Sequence, residues 1–163
     1  MTLPETLPDF LKRRAGRSLA YILRQVEAVS AEEALIGRYD NWPDQPWGIG
    51  QNGSIAGIVY HVAAWKQLTL PLFDPDGKAL GRADFDPASA PNPDDWPALV
   101  DWLRRTGKAW NLALESVNES DFDSLRDWEG TQMTITQFAA EMIQHDVQHA
   151  AQIEYLRQSH LLR

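Results

Sequence analysis

Histidines carry the clearest chemical signal in this sequence, which has four of them and no cysteine. His145 and His149 stand four positions apart, so on a helix their side chains would project from adjacent turns of one face. Two imidazole nitrogens in that arrangement can reach one metal ion, as in zinc-binding helices with paired histidines. The lack of cysteine excludes disulfides, thiolate nucleophiles and cysteine-based zinc sites. The spacing therefore makes a histidine-based metal site a specific hypothesis.

A third imidazole is available from His61, which lies beside the apolar stripe of an earlier helical segment. His149 falls near the centre of the apolar face of its own segment, and His145 falls at the edge of that face. Buried polar rings need partners, and a divalent ion would satisfy all three. Three protein ligands with an open fourth position are typical of catalytic rather than structural zinc sites. All-nitrogen ligation also suits nickel, cobalt or iron(II).

An alternative without a metal stays open at this point. A histidine on an apolar face is often a core residue with a hydrogen-bond partner. His145 and His149 could bond to Glu141 or Gln152, which lie on the same predicted helix.

Two further titratable residues of this segment have less obvious roles. Asp146 falls among apolar side chains, where a buried carboxylate needs a partner. The candidates are an arginine of the first helical segment or a ligand imidazole, and the structural pair is the favoured interpretation. His160 lies three residues from the end of the sequence, and we expect it at the surface.

Four long segments with helical periodicity must position these side chains. Their approximate bounds are 9–29, 54–73, 92–117 and 134–158. Apolar residues recur in each at steps of three and four, which predicts helices with a core-facing stripe. The second segment is apolar enough to be buried on more than one side, and no alternating strand pattern is present. The predicted fold class is all-α, a four-helix bundle in a single domain over residues 1–163.

The ends of these segments carry capping signals, and long connections separate them. Thr134 and Gln137 have capping-box spacing, while Pro8 and Asp9 suit the first turn and the cap of the first helix. Residues 30–33 could form a brief extra turn. The long connections follow helices 1 and 2, at roughly 31–53 and 74–93, with a shorter one at 119–133. Connections of this length are often functional.

Charge and hydropathy exclude several classes of partner. The chain has 15 Lys and Arg against 23 Asp and Glu, a net charge of −8 that repels phosphate backbones. The cluster Lys12-Arg13-Arg14, with Arg17, is interpreted as the solvated face of a helix. No apolar run approaches the ~20 residues that a membrane span needs, and the start of the sequence lacks the pattern of a secretory signal. We therefore expect no nucleic acid, no membrane and a cytoplasmic location.

Seven tryptophans are many for 163 residues. Four fall on predicted helices, where they serve packing or an interface. Any that is exposed would indicate a homodimer, and we expect a symmetric dimer that buries a helical face. The other three fall in connections, and we expect one of them to wall the metal pocket. The helical ones are Trp65, Trp96, Trp102 and Trp110, and those in connections are Trp42, Trp47 and Trp128.

The sequence resembles the DinB-like (DinB/YfiT-type) superfamily in two motifs, Ser54-Ile-x-x-Ile-x-Tyr-His61 and His145-Asp-Val-Gln-His149-Ala-Ala-Gln152-Ile. Members of that superfamily are four-helix bundles with one histidine on the second helix and an H-x-x-x-H pair on the fourth. The resemblance covers nearly the whole chain. It implies that His61, His145 and His149 are metal ligands, with water or substrate in the remaining positions.

The resemblance implies a function only in outline. Characterised relatives include transferases and isomerases that use bacillithiol, mycothiol or glutathione. The first hypothesis is thus an enzyme that depends on one divalent ion, zinc or nickel before others, and acts on a small-molecule substrate. It would transfer a low-molecular-weight thiol to a small electrophile or hydrolyse a small substrate. The alternatives are a non-catalytic metal-binding stress-response or interaction module, and a protein whose histidines are only core residues. No motif marks catalytic or thiol-binding residues.

Overall fold

Four long helices dominate the computed structural model, which describes residues 5–36, 53–73, 90–92, 94–128 and 130–161. They are α1 (Leu7–Glu27), α3 (Ile55–Phe73), α4 (Trp96–Ser116) and α5 (Ile135–Leu161). A short helix, α2 (Ala31–Leu35), follows α1. The predicted all-α fold class is confirmed, and the four predicted segments lie close to the observed helices. Most of the two long predicted connections falls outside the described residues.

The long helices pack as a closed ring of neighbours. The main contacts join α1 to α5, α5 to α3, α3 to α4 and α4 to α1. The helix that carries His61 and the helix that carries the H-x-x-x-H pair are therefore adjacent. Among the described residues, no helix is both long and apolar enough to cross a membrane.

Two apolar clusters fill the bundle, and a polar layer separates them. Along α1 the first cluster begins at Leu19 and the second ends at Ala15. Between those positions lies buried Ser18, and at the matching level the neighbouring helices supply buried Lys66 and Asp146. Helix α3 is buried nearly all round, as expected from its sequence. The interior of this bundle is thus interrupted by charge at mid-height.

The capping signals are largely confirmed. The Gln137 N–H donates to the Thr134 hydroxyl at 3.1 Å, and the Thr134 N–H donates to the Gln137 side chain at 2.9 Å. The Ser30 side chain caps α2, so the predicted extra turn exists. Pro8 lies in the first turn of α1 as predicted, but the expected cap was wrong, because Thr6 is the cap and Asp9 donates its backbone N–H to it. A threonine two residues before a proline satisfies the same orphan donor.

A small hairpin corrects the expectation that the chain has no strands. After a single 3-10 turn (Glu119–Asp121), strand β1 (Leu125–Trp128) pairs antiparallel with β2 (Thr131–Thr134). Each strand has only four residues, and burial alternates along β1 but not along β2, so periodicity could not reveal them. Gly130 lies in the turn at φ 81°, a conformation that glycine adopts without steric cost. The hairpin leads directly into α5.

The arginines of the basic cluster on α1 are solvated, as expected, whereas Lys12 is half-buried and donates to the Val117 carbonyl at 3.0 Å. Arg13, Arg14 and Arg17 are exposed, and Arg13 forms a surface ion pair with Glu5. Nothing in this geometry marks a phosphate-binding surface.

The two glycines of the long helices α1 and α4 give a matched test of the packing between them. A Cβ added to Gly107 on α4 would collide with the buried Leu19 side chain of α1, whereas one added to Gly16 on α1 meets nothing within 4 Å. Gly107→Ala should lower the free energy of unfolding by about 1 kcal/mol net, because overpacking exceeds the gain in helix propensity. Gly16→Ala should raise it by about 0.5–1 kcal/mol. Urea denaturation of both variants checks this, and a stabilised Gly107→Ala variant would contradict it.

Candidate metal centre

Three histidine side chains meet between α3 and α5. The Nε2 atoms of His61 and His145 lie 3.0 Å apart. One ring nitrogen from each of His61, His145 and His149 can be chosen so that all lie within 4.8 Å of one another. In a tetrahedral site with bonds of 2.0–2.1 Å, ligand nitrogens are about 3.4 Å apart. Small side-chain rotations would therefore let the three rings bind one cation.

Helix geometry explains how the sequence produces this cluster. His145 and His149 stack one turn apart on α5, with ring centroids 4.4 Å apart. The His61 ring from α3 lies 5.0 Å from the first and 4.8 Å from the second. His149 is buried and the other two are half-buried, as their positions relative to the apolar stripes predict. One side of the cluster thus faces the core, and the other is reachable from outside.

The environment keeps the rings of α5 neutral. Burial, followed by the neighbouring His149, His61 and Lys66, lowers the pKa of His145 to about 2. Burial also lowers the pKa of His149, against the opposing effects of the Gln152 hydrogen bond and the Asp146 charge. Both imidazoles are therefore uncharged at pH 7. Neutral imidazole is the form that offers a lone pair to a metal.

The sequence matches the model of a known protein family. The DinB superfamily model matches residues 17–153, a range that contains all three histidines. The chain belongs to the DinB superfamily. No curated protein and no solved structure matches it.

Gln152 orients one histidine of this DinB-superfamily protein. The His149 Nδ1 lies 2.7 Å from the Gln152 Oε1, and the amide oxygen can only accept, so Nδ1 carries the proton. The Nε2 lone pair of His149 is then the one available for a ligand. The interpretation without a metal also predicts Gln152 as a hydrogen-bond partner of a histidine. The same hydrogen bond fixes the orientation of an imidazole that binds a metal.

Asp146 has a buried partner, but not the expected one. Its Oδ2 lies 2.9 Å from the Lys66 Nζ of α3 and accepts a hydrogen bond of 2.8 Å from the Ser18 hydroxyl of α1. The prediction of a structural pair with an arginine of the first helix was therefore wrong about the partner. Lys66 could not be identified as this partner from the sequence, because a lysine within an apolar helix is normally expected to reach solvent.

Aromatic rings bound the cluster towards the hairpin. The Trp65 ring lies 6.1 Å from both His61 and His145, and Trp128 of β1 lies 5.7 Å from Trp65. Trp128, which the sequence places in a connection, is thus separated from the histidines by the Trp65 ring of α3. Trp42 and Trp47 lie outside the described residues. An apolar aromatic wall next to polar ligands is typical of small-molecule sites.

A shallow depression of about 380 Å³ adjoins the cluster on another side. Gln152 lines this depression and also bonds to His149. Ile58, which lies one turn before His61 on α3, lines it as well. Its lining is mainly apolar and comprises Gly53, Ile58, Ala151, Gln152, Tyr155 and Leu156. A small, weakly polar molecule could occupy it.

One expectation about a peripheral residue needs correction, and the packing role of the helical tryptophans is confirmed. His160 is half-buried rather than at the surface. Trp96, Trp102 and Trp110 are buried and Trp65 is half-buried, so these helical tryptophans do not supply the exposed patch that would have indicated a homodimer. They pack inside the bundle, where Trp96 donates its indole N–H to the Val29 carbonyl.

Removing the Gln152 amide should weaken metal binding without disturbing the fold. Gln152→Ala leaves the His149 ring free to rotate, and loss of such partners costs about tenfold to a hundredfold in metal affinity. Gln158→Ala is the matched control, since Gln158 is also exposed on α5. Competition titration with a chelating dye measures both affinities. Equal affinities in the two variants would contradict the role assigned to Gln152.

Proposed function

We propose that this protein is a divalent-metal-dependent enzyme whose ligands are His61, His145 and His149. The supporting observation is the convergence of three imidazoles from two adjacent helices to within 4.8 Å. The lowered pKa values of His145 and His149 add to this support, because neutral rings so close together gain from a shared cation. Zinc and nickel suit an all-nitrogen ligand set, and they are the metals that we propose.

The donor set favours catalysis over a purely structural ion. Among the described residues, the group comprises three histidines and no carboxylate. Three protein ligands leave a coordination position open, whereas structural zinc sites are closed by four. The apolar depression beside Gln152 and the Trp65 ring would border that open position.

We infer that the reaction transfers a low-molecular-weight thiol to a small electrophile, or hydrolyses a small substrate. A bound divalent ion supplies Lewis acidity, which makes a thiol or a water molecule nucleophilic near neutral pH. The absence of cysteine agrees with a nucleophile supplied by a small molecule or by water. The protein orients the ligands, and Trp65 with the depression residues would hold the apolar part of the substrate and exclude water.

We further propose a single domain, a homodimer and a cytoplasmic location. Both apolar clusters draw on all four long helices, which supports a single domain over residues 1–163. Exposed apolar side chains at the start of α1, Leu7 and Phe10, support a homodimer. The net charge of −8 argues against a nucleic-acid partner. A cytoplasmic location is proposed on the cysteine-free composition.

Alanine variants test the ligand set directly. Wild-type protein should contain about one divalent ion per chain, and His61→Ala, His145→Ala and His149→Ala should each lose most of it, because two imidazoles bind an ion weakly. His160→Ala is the matched control, since it removes a half-buried imidazole from the same helix. Elemental analysis after gel filtration measures the content. Unchanged metal in His61→Ala would contradict the proposed site.

An activity assay tests the reaction class. Metal-loaded protein should accelerate the consumption of a generic electrophile by glutathione, mycothiol or bacillithiol, and chelation should abolish the acceleration. Azide or imidazole should inhibit by taking the open position. Inactivity with every thiol and with ester and amide substrates, together with a coordination shell that azide does not enter, would instead indicate a non-catalytic metal-binding module.

A further inference from the structure

A buried ion pair lies next to the histidine cluster and joins the same two helices. Lys66 follows His61 on α3 by five residues, and Asp146 directly follows His145 on α5. Their Nζ and Oδ2 atoms are 2.9 Å apart, and the two side chains are 0% and 2% exposed. The ion pair and the His61–His145 contact are therefore two polar links between α3 and α5, five residues apart along α3 and one residue apart along α5.

The other two long helices fix this ion pair from the sides. The Ser18 hydroxyl of α1 donates to the Asp146 Oδ2 at 2.8 Å. The Lys66 Nζ lies 4.5 Å from the centroid of the Trp110 ring on α4, a cation–π distance. The Trp110 indole N–H donates in turn to Thr69 on α3 at 3.1 Å. Each of the four long helices thus contributes a side chain to one buried charged contact.

Stability alone does not account for this arrangement. Taking two charges out of water is costly, and an apolar pair of similar volume is often as stable or more so. The Asp146 Oδ1 is buried and accepts no hydrogen bond among the described residues, which leaves the carboxylate incompletely satisfied. A charged hydrogen-bonded contact is, however, directional, so the ion pair adds a geometric constraint to the one that close packing of the helices imposes.

We propose that Lys66 and Asp146 are positioning residues of the metal centre, which hold α3 and α5 in the one register where His61 meets His145 and His149. This inference rests on the proposed function, since it assumes that the three histidines bind an ion. A shift of α3 along α5 by one residue would move His61 by about 1.5 Å. That displacement is large against metal–nitrogen bonds of about 2.0–2.1 Å.

The electrostatic contacts agree with this placement. The Lys66 charge contributes to the lowered pKa of His145, and the Asp146 charge opposes the lowering for His149. Both members of the ion pair are thus close enough to act on the proposed ligands. Their opposite signs leave the net charge beside the histidines unchanged, which is consistent with a role in geometry rather than in charge compensation.

The test asks whether loss of the ion pair weakens metal binding by the full chain more than an ordinary loss of stability does. The double variant Lys66→Met/Asp146→Asn removes both charges and keeps similar volumes. Its affinity for Co²⁺, measured by chelator competition, should fall by about tenfold to a hundredfold. The visible spectrum of the Co²⁺-saturated protein should also change, because the ligand geometry is altered. Val26→Ala is the control, a buried α1 residue whose loss lowers stability but should leave affinity within about twofold.

The outcomes separate the two proposals. Failure of the wild type to bind Co²⁺ or Zn²⁺ overturns the proposed function, and this inference with it. Wild-type affinity and spectrum in the double variant overturn the inference alone. If circular dichroism shows that the double variant is unfolded, Ser18→Ala decides. Loss of the hydroxyl that fixes Asp146 should weaken Co²⁺ binding by about twofold to tenfold, and unchanged affinity overturns the positioning role.

Discussion

The packing of α3 against α5 is the constraint on which the rest of this structure depends. Neither helix alone can gather three imidazoles. Because the two helices are adjacent, the Nε2 atoms of His61 and His145 lie 3.0 Å apart. The ring of contacts through α1 and α4 holds that adjacency in place. The apolar clusters supply most of the free energy of this packing. Directional polar contacts add a further constraint on the relative heights of the helices.

The polar layer between the two apolar clusters provides such contacts. Ser18, Lys66 and Asp146 interrupt the core where apolar side chains would be the easier choice. In a low-dielectric interior their interactions are strong and geometrically strict. A metal site needs this strictness, because the affinity of three imidazoles for one ion depends on their mutual positions to a fraction of an ångström. The layer that supplies these directional contacts is the one that adjoins the histidines.

Much of this arrangement could be predicted from the sequence, and the remainder has physical reasons. The spacing of His145 and His149 and the apolar stripes place three imidazoles near the core, and two motifs indicate the family. An apolar stripe in the sequence indicates which face of a helix is buried, but not which residues of the neighbouring helix lie at the same level. Periodicity therefore could not reveal the contact of Lys66 with Asp146. Nor could it reveal the hairpin, whose strands have four residues each and are set by the turn at Gly130.

The central claim is that side chains from two helices hold a single ion through three imidazole nitrogens. X-ray absorption spectroscopy of the zinc- or nickel-loaded protein tests it most directly, since imidazole rings give a characteristic multiple-scattering signal. The account predicts three imidazole ligands, at about 2.0–2.1 Å in the zinc form. An ion bound by carboxylate oxygens, or by fewer than three imidazoles, would contradict it.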